Sequence, residues 1–117
     1  MPLITVHTSA EPRSAEDSAK LLRELSSTLA KLLRKPEAYV MTCLALQSKM
    51  TFAGTPEPSC LVEVRSIGGL SSETARAISE AAFRLVSERL GVPPNRTYVV
   101  CADVPPHLWG FDGSTFG

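Results

Sequence analysis

The sequence has 117 residues, and its 12 basic and 12 acidic residues give a formal net charge of zero. Neither sign forms a block, and no apolar segment approaches bilayer length, so we expect no nucleic-acid or membrane partner. We predict one domain over residues 1–117. A cytoplasmic location is the default, because Glu11 and Arg13 come too early for a signal peptide, and secretion without a signal stays open.

The first half of the chain has the pattern of a strand, a helix and a strand. The apolar, β-branched segment that starts at Pro2 predicts a buried strand. Leucines recur every three or four residues over about 14–34, which predicts an amphipathic helix capped by Ser14 and ended by Pro36. The segment 39–46 is apolar at both odd and even positions, which predicts a strand buried on both faces.

The second half repeats this order after a loop rich in glycine and proline. Residues 59–66 alternate in polarity, as a strand with one buried face does. A second helix is predicted to begin at Ser71 or Ser72 and to end at a C-cap on Gly91. Residues 97–102 predict the last strand.

Two strand–helix–strand units predict an α+β fold. Strands joined through a helix run parallel, and the two units together form a four-stranded mixed sheet with both helices on one face. Two helices leave the other face uncovered, although the strands are apolar on both faces. We therefore expect another copy of the chain to cover that face, which predicts a homo-oligomer.

The three cysteines are Cys43, Cys60 and Cys101, and each lies in an apolar, strand-like segment. We predict that they are buried hydrophobic residues without disulfides and that they react slowly with thiol reagents. The odd count and the absence of a Cys-x-x-Cys pair argue against a redox pair or a zinc site. His7 and His107 are far apart, so we expect neither to be a metal ligand.

The most suggestive residue is Pro2. A proline after the initiator methionine becomes the N-terminus when Met1 is trimmed, as is expected before a small residue. The product is a secondary amine at the start of a buried strand, where a missing N–H is tolerated. Burial disfavours the charged amine and lowers its pKa, which produces a general base near neutral pH. The alternative is that proline stands second by chance.

A set of short motifs extends along the whole chain. In order they are Met1-Pro2, Lys35-Pro36-x-x-Tyr39, Met50-x-Phe52-x-Gly54, Glu57-Pro58, Ser66-Ile67-Gly68, Arg96-x-Tyr98 and Gly113-Ser114-Thr115-Phe116. By their order and spacing, the chain resembles the macrophage migration inhibitory factor and D-dopachrome tautomerase family of the tautomerase superfamily. The resemblance covers essentially all residues. It implies a homotrimer in which three sheets wrap a central barrel, with active sites at the subunit interfaces.

The resemblance also implies an enzyme, a keto–enol tautomerase of phenylpyruvate-like α-keto acids that needs no cofactor, with dopachrome isomerisation as a further candidate activity. Pro2 matches the general base, and Lys35 matches the family's cation. Ile67 matches the position whose backbone N–H contacts substrate, with Ser66 beside it. Tyr98 matches the aromatic residue that a neighbouring subunit contributes.

Three further positions differ from the family pattern or leave a choice. Phe111 falls where the mammalian cytokine has a pocket tryptophan, and Trp109 lies two residues earlier. Val100 replaces an asparagine that contacts substrate, so a side-chain hydrogen bond is lost and substrate preference or rate is expected to change. Each candidate site residue also has a purely structural interpretation: Lys35 as a helix-end lysine, the strand residues as ordinary strand positions, and the tail aromatics as packing.

Two other functions compete with the tautomerase. One is a cytokine-like binding protein, with an unidentified receptor and a vestigial pocket, which the valine at position 100 favours. The other is a dehalogenase or hydratase of the same superfamily. That class is expected to place arginines beside the N-terminal proline, and none precedes Arg13.

Overall fold

The computed structural model describes residues 1–117 and contains two helices packed on a sheet. The elements are β1 (Pro2–Thr8), α1 (Ala15–Leu33), β2 (Met41–Ala45), β3 (Cys60–Ser66), α2 (Ser72–Leu90), β4 (Thr97–Asp103), β5 (Gly110–Phe111) and β6 (Ser114–Thr115). Neither helix is both long and apolar enough to cross a membrane.

The main sheet has the strand order β2-β1-β3-β4. β1 is parallel to β2, and β3 is parallel to β4, while β1 and β3 pair antiparallel. This arrangement confirms the predicted mixed sheet of two β-α-β units. The core contains residues of both helices and of one sheet face, among them Ile4, Val64, Leu21 and Leu85, so both helices lie on that face.

The first helix begins and ends through local contacts. At its start, the Ser14 hydroxyl accepts a hydrogen bond from the Asp17 N–H at 3.0 Å, as predicted. At its end, Arg34 adopts a left-handed conformation with φ 56°, and the Lys35 N–H donates to the Ala30 carbonyl at 3.0 Å. The chain therefore leaves the helix at Arg34, and Pro36 disfavours a return to a helical conformation at Lys35, the residue before it.

The second strand is shorter and more exposed than its composition suggests. Residues Glu37–Tyr39 form a 3₁₀ turn, so β2 begins at Met41 rather than at position 39. Met41 is 62% exposed, and Tyr98 on the opposite edge of the sheet is 63% exposed. Burial on both faces is therefore wrong for the single chain, because nothing in the chain covers the face of the sheet that points away from the helices.

The cysteine environments differ from one another, and the prediction that all three are buried is wrong. Cys60 is buried, and burial raises the pKa of its thiol to about 12. Cys101 is half-buried, which also raises the pKa of its thiol. Cys43 is exposed because it lies on β2, whose outer face is open. A slow reaction with thiol reagents is therefore expected from burial for Cys60, and Cys43 has no such protection within one chain.

Candidate active site

The N-terminus lies in the middle of the sheet, where β1 runs between β2 and β3. Pro2 pairs with Ser66 of β3, and its side chain is fully buried. Met1 stands just outside the strand, and its carbonyl accepts a hydrogen bond from the Ile67 N–H at 3.4 Å. The first peptide group of the chain therefore lies beside a backbone donor.

A cavity of about 530 Å³ opens at this end of the sheet. Its lining combines one cation with a mostly apolar wall. The lining residues are Met1, Lys35, Pro36, Tyr39, Ile67, Pro106, Phe111 and Phe116. The cavity volume falls in the range of small-molecule sites, roughly 300–1,000 Å³.

Three aromatic rings form one wall of this cavity. The Tyr39 and Phe111 rings meet edge to face with centroids 5.9 Å apart, and the Phe111 and Phe116 rings stack at 6.1 Å. Such pairs hold each other in place and present flat apolar surface. The wall is therefore suited to an aromatic group of a ligand.

The amine at this position is a weaker base than an ordinary N-terminus. The pKa of the Met1 amine is lowered, first by burial and second by the positive charge of Lys35. Pro2 is more deeply buried than Met1. Burial and the charge of Lys35 would act in the same direction on an amine at Pro2, lowering its pKa.

The turn after β3 brings Ile67 to the cavity. The Ser66 hydroxyl donates to the Gly68 carbonyl at 2.8 Å, and the Gly68 N–H donates to Asp103 Oδ1 at 2.8 Å. Gly68 and Gly69 have φ of 72° and 80°, which favours glycine at both positions. A Cβ on Gly69 would lie 3.9 Å from Lys35 Cε, so this turn packs against the Lys35 side chain.

Several predicted site residues meet at this end of the molecule. Lys35, Ile67 and Phe111 line the main cavity. Trp109 lines an adjoining cavity of about 410 Å³, which shares Met1, Tyr39 and Phe111 with the first and includes Pro2. Ser66 lies behind the cavity lining, because it is fully buried and its hydroxyl is used within the turn.

Tyr98 and Val100 lie elsewhere in the same chain. Tyr98 is opposite Leu61, which in turn is opposite His7, whereas Pro2 is opposite Ser66 at the other end of β3. Val100 is opposite Glu63 and is 52% exposed. One chain therefore does not bring these two residues to its own N-terminal cavity.

A loop of residues 47–58 packs beside Tyr98, and the contacts that hold this loop in place are not predicted from the sequence. The Phe52 ring lies 5.1 Å from the Tyr98 ring, centroid to centroid. The Arg96 guanidinium lies 5.4 Å from the centre of the Phe52 ring. It also donates to four backbone carbonyls of this loop, those of Phe52, Thr55, Glu57 and Pro58.

Replacing Arg96 by alanine is expected to destabilise the protein by about 2–3 kcal/mol. One hydrogen bond from a charged group contributes roughly 1.5–3 kcal/mol, and part of the loss is recovered when water binds the carbonyls that Arg96 leaves. The Arg96 side chain is only 16% exposed. Urea unfolding at one fixed protein concentration measures the change. Arg84→Ala is the matched control, since Arg84 makes only an exposed 3.9 Å pair with Glu88. Equal stability of the two variants would contradict the role of Arg96.

Two residues of the cavity wall were not selected from the sequence. Tyr39 and Phe116 belong to the motifs Lys35-Pro36-x-x-Tyr39 and Gly113-Ser114-Thr115-Phe116, but neither was assigned a role in the site. Membership in those motifs is the feature that could have pointed to both residues. The sequence alone does not show that both rings contact Phe111.

Comparison with known proteins finds relatives that match nearly all of this chain. A homolog of macrophage migration inhibitory factor from Trichuris trichiura is 34% identical over 116 residues, which cover 99% of this chain and 100% of that protein. The structure of a homologue from Prochlorococcus marinus is 48% identical with a TM-score of 0.91, covering 98% of this chain and 99% of the other. The structure of Pt0534 inactivated by 2-oxo-3-pentynoate has 25% identity and a TM-score of 0.85, covering 96% and 93% of the two chains.

The family description "Macrophage migration inhibitory factor" matches residues 1–117, the full length of the sequence. The match agrees with the fold, in which two helices pack on one face of a four-stranded mixed sheet. The chain therefore belongs to the macrophage migration inhibitory factor family.

Proposed function

We propose that this chain, once Met1 is removed, is a keto–enol tautomerase of phenylpyruvate-like α-keto acids with Pro2 as its general base. The observation that carries the proposal is the cavity at the N-terminus. It combines an amine position of lowered pKa, the cation of Lys35, the Ile67 backbone and an aromatic wall. These are the groups that proton transfer beside a ketone requires.

The proposed reaction moves one proton. The Pro2 nitrogen takes a proton from the carbon next to the ketone. The electron pair of that C–H bond forms a C=C bond to the ketone carbon, and the π pair of the C=O bond moves to the oxygen, which gives an enolate. The prolinium then returns the proton to this oxygen, giving the enol, and the reverse sequence gives the ketone. The Ile67 N–H and the Lys35 ammonium stabilise the oxygen and the carboxylate, and the phenyl ring lies on the aromatic wall.

The Met1 carbonyl supports this assignment of groups. Its oxygen is two bonds from the Pro2 nitrogen and accepts the hydrogen bond of the Ile67 N–H. Removing Met1 converts an amide nitrogen into an amine and frees the Ile67 N–H in the same step. A substrate oxygen at that point would be next to the base and would receive the freed donor.

The chemistry of a structural relative supports the substrate class. Pt0534 is inactivated by 2-oxo-3-pentynoate, which is a 2-oxo acid with a reactive alkyne. That relative is therefore inactivated by a small α-keto acid. In the present chain, a monoanionic α-keto acid matches a cavity whose lining contains one cation and three aromatic rings.

We further propose a homotrimer, in which Tyr98 and Val100 of one chain reach the N-terminal cavities of the next. Both residues are exposed on the open sheet face and are distant from their own cavity. The cavity beside Trp109 is lined mainly by apolar residues, including the exposed Met41, and offers a place for an aromatic side chain. Light scattering is expected to give three times the chain mass, and a stable monomer would contradict the assembly.

The competing candidate is a binding protein without catalysis, and Val100 is the observation that favours it. A valine offers no hydrogen bond where the resemblance implies one. One experiment separates the two candidates: intact mass of the purified protein to establish that Pro2 is free, followed by a phenylpyruvate enol–keto assay. A trimer with free Pro2 that shows no turnover above buffer would favour the binding protein.

A further inference from the structure

The Ile67 N–H is aimed into the cavity by contacts that lie outside it. In the peptide group between Ser66 and Ile67, the carbonyl oxygen accepts a hydrogen bond from the Val104 N–H at 2.9 Å. The N–H of the same group points to the Met1 oxygen. Because a trans peptide is planar with its C=O and N–H opposed, anchoring the carbonyl on one side sets the direction of the N–H on the other.

The next peptide group is anchored by the neighbouring residue of the same segment. The N–H of Gly68 donates to Asp103 Oδ1 at 2.8 Å, and Asp103 is the last residue of β4, directly before Val104. A hydrogen bond to a carboxylate is shorter and stronger than one to a neutral acceptor. The end of β4 therefore fixes two consecutive peptide groups of the turn that carries Ile67.

The turn needs such an anchor because its own sequence is permissive. Gly68 and Gly69 both have positive φ, and glycine reaches other conformations at little cost. The hydroxyl of Ser66, the last residue of β3, donates to the Gly68 carbonyl, which ties the turn only to the strand that it follows. Asp103 is the side chain that connects the Gly68 N–H to the neighbouring strand β4.

We propose that Asp103 is a positioning residue that holds the Ile67 N–H toward the reacting oxygen of the substrate. This inference rests on the proposed tautomerase function. Asp103 acts through the turn and does not line the main cavity. A donor that is aimed in advance matters most when negative charge develops on the oxygen, so its displacement lowers kcat more than it raises KM.

The test compares Asp103→Ala with Asp103→Asn in protein that begins at Pro2. The alanine variant is expected to lose about 10-fold in kcat with a smaller change in KM, less than the roughly 100-fold or more seen when an oxyanion donor is removed outright. The asparagine variant keeps an acceptor oxygen and is expected to stay within about 3-fold of the parent. Glu80→Ala is the control, since Glu80 is an exposed carboxylate on α2 and its loss should change nothing.

A second measurement does not depend on turnover. Addition of phenylpyruvate is expected to shift the NMR signal of the Ile67 amide proton in the parent and in Asp103→Asn. The shift is expected to be smaller in Asp103→Ala. Parent-like kcat and Ile67 shift in Asp103→Ala, or equal damage in both variants, would overturn the positioning role. If the parent with free Pro2 has no turnover, the proposed function fails, and the amide shift still decides whether Asp103 aims the N–H.

Discussion

Protein that carries one extra residue before Pro2 is expected to convert phenylpyruvate at least about 100-fold more slowly than protein that begins at Pro2, the lower bound for loss of a general base. An added residue turns the basic amine of Pro2 into an amide nitrogen. Its carbonyl also accepts the Ile67 N–H, as the Met1 carbonyl does in the structure. Both effects act at the same end of the cavity and both oppose catalysis.

The two proteins can be made from one cleavable fusion, cut either directly before Pro2 or one glycine earlier. Intact mass identifies each product, and light scattering with circular dichroism checks that assembly and fold are the same. Pro2→Gly, which keeps a free α-amine without the ring, is expected to fall between the two in rate. Equal turnover with and without the added glycine would show that Pro2 is not the base.

A covalent probe tests the amine without relying on turnover. In 2-oxo-3-pentynoate the alkyne is conjugated to a ketone, so a free amine can add to the alkyne carbon farthest from the ketone while a proton moves to the nearer one. Nothing leaves, and the protein gains the mass of the reagent. We expect this gain at Pro2 in the free protein and not in the glycine-extended protein.

Helices and strands whose signals are local were predicted well from the sequence. The first helix was placed within one residue at each end, because Ser14 caps it through a contact only three residues away. The end of α2 is also set by a local feature, because Gly91 caps the helix in a left-handed conformation with φ 71°. The start of β2 was predicted two residues early, because apolar composition does not distinguish a 3₁₀ turn after Pro36 from the beginning of a strand.

Contacts between distant parts of the chain were the ones the sequence could not predict. The Arg96 side chain bonds to carbonyls 38–44 residues away, and backbone carbonyls have no signature in a sequence. Asp103 is separated from Gly68 by 35 residues. Pro2 stands out from the sequence by its place at the start of a buried strand, whereas Lys35 and Ile67 are selected only through the family resemblance. The structure brings all three to one end of the sheet.

Replacing Lys35 by alanine is expected to have two effects, which have separate physical causes. Loss of the ammonium removes a charged contact with the substrate carboxylate worth roughly 1.5–3 kcal/mol, so KM should rise about 10- to 100-fold. The rise is in KM if the contact is equally strong in the ground and transition states. Lys31→Ala is the control, since Lys31 is an exposed lysine in the last turn of α1, four residues before Lys35, and does not line the cavity.

The second effect of Lys35→Ala concerns the pH profile of kcat/KM. The positive charge of Lys35 lowers the pKa of the N-terminal amine, which leaves more of it unprotonated at a given pH. Without that charge the amine holds its proton more tightly, so the rising limb should move to higher pH. Lys35→Arg keeps the charge and should leave the rising limb of the pH profile in place even if KM changes. Added salt screens the charge, so it should shift the rising limb of the parent in the same direction as the alanine variant does. A limb that stays in place or moves to lower pH in Lys35→Ala would show that Lys35 does not tune the base.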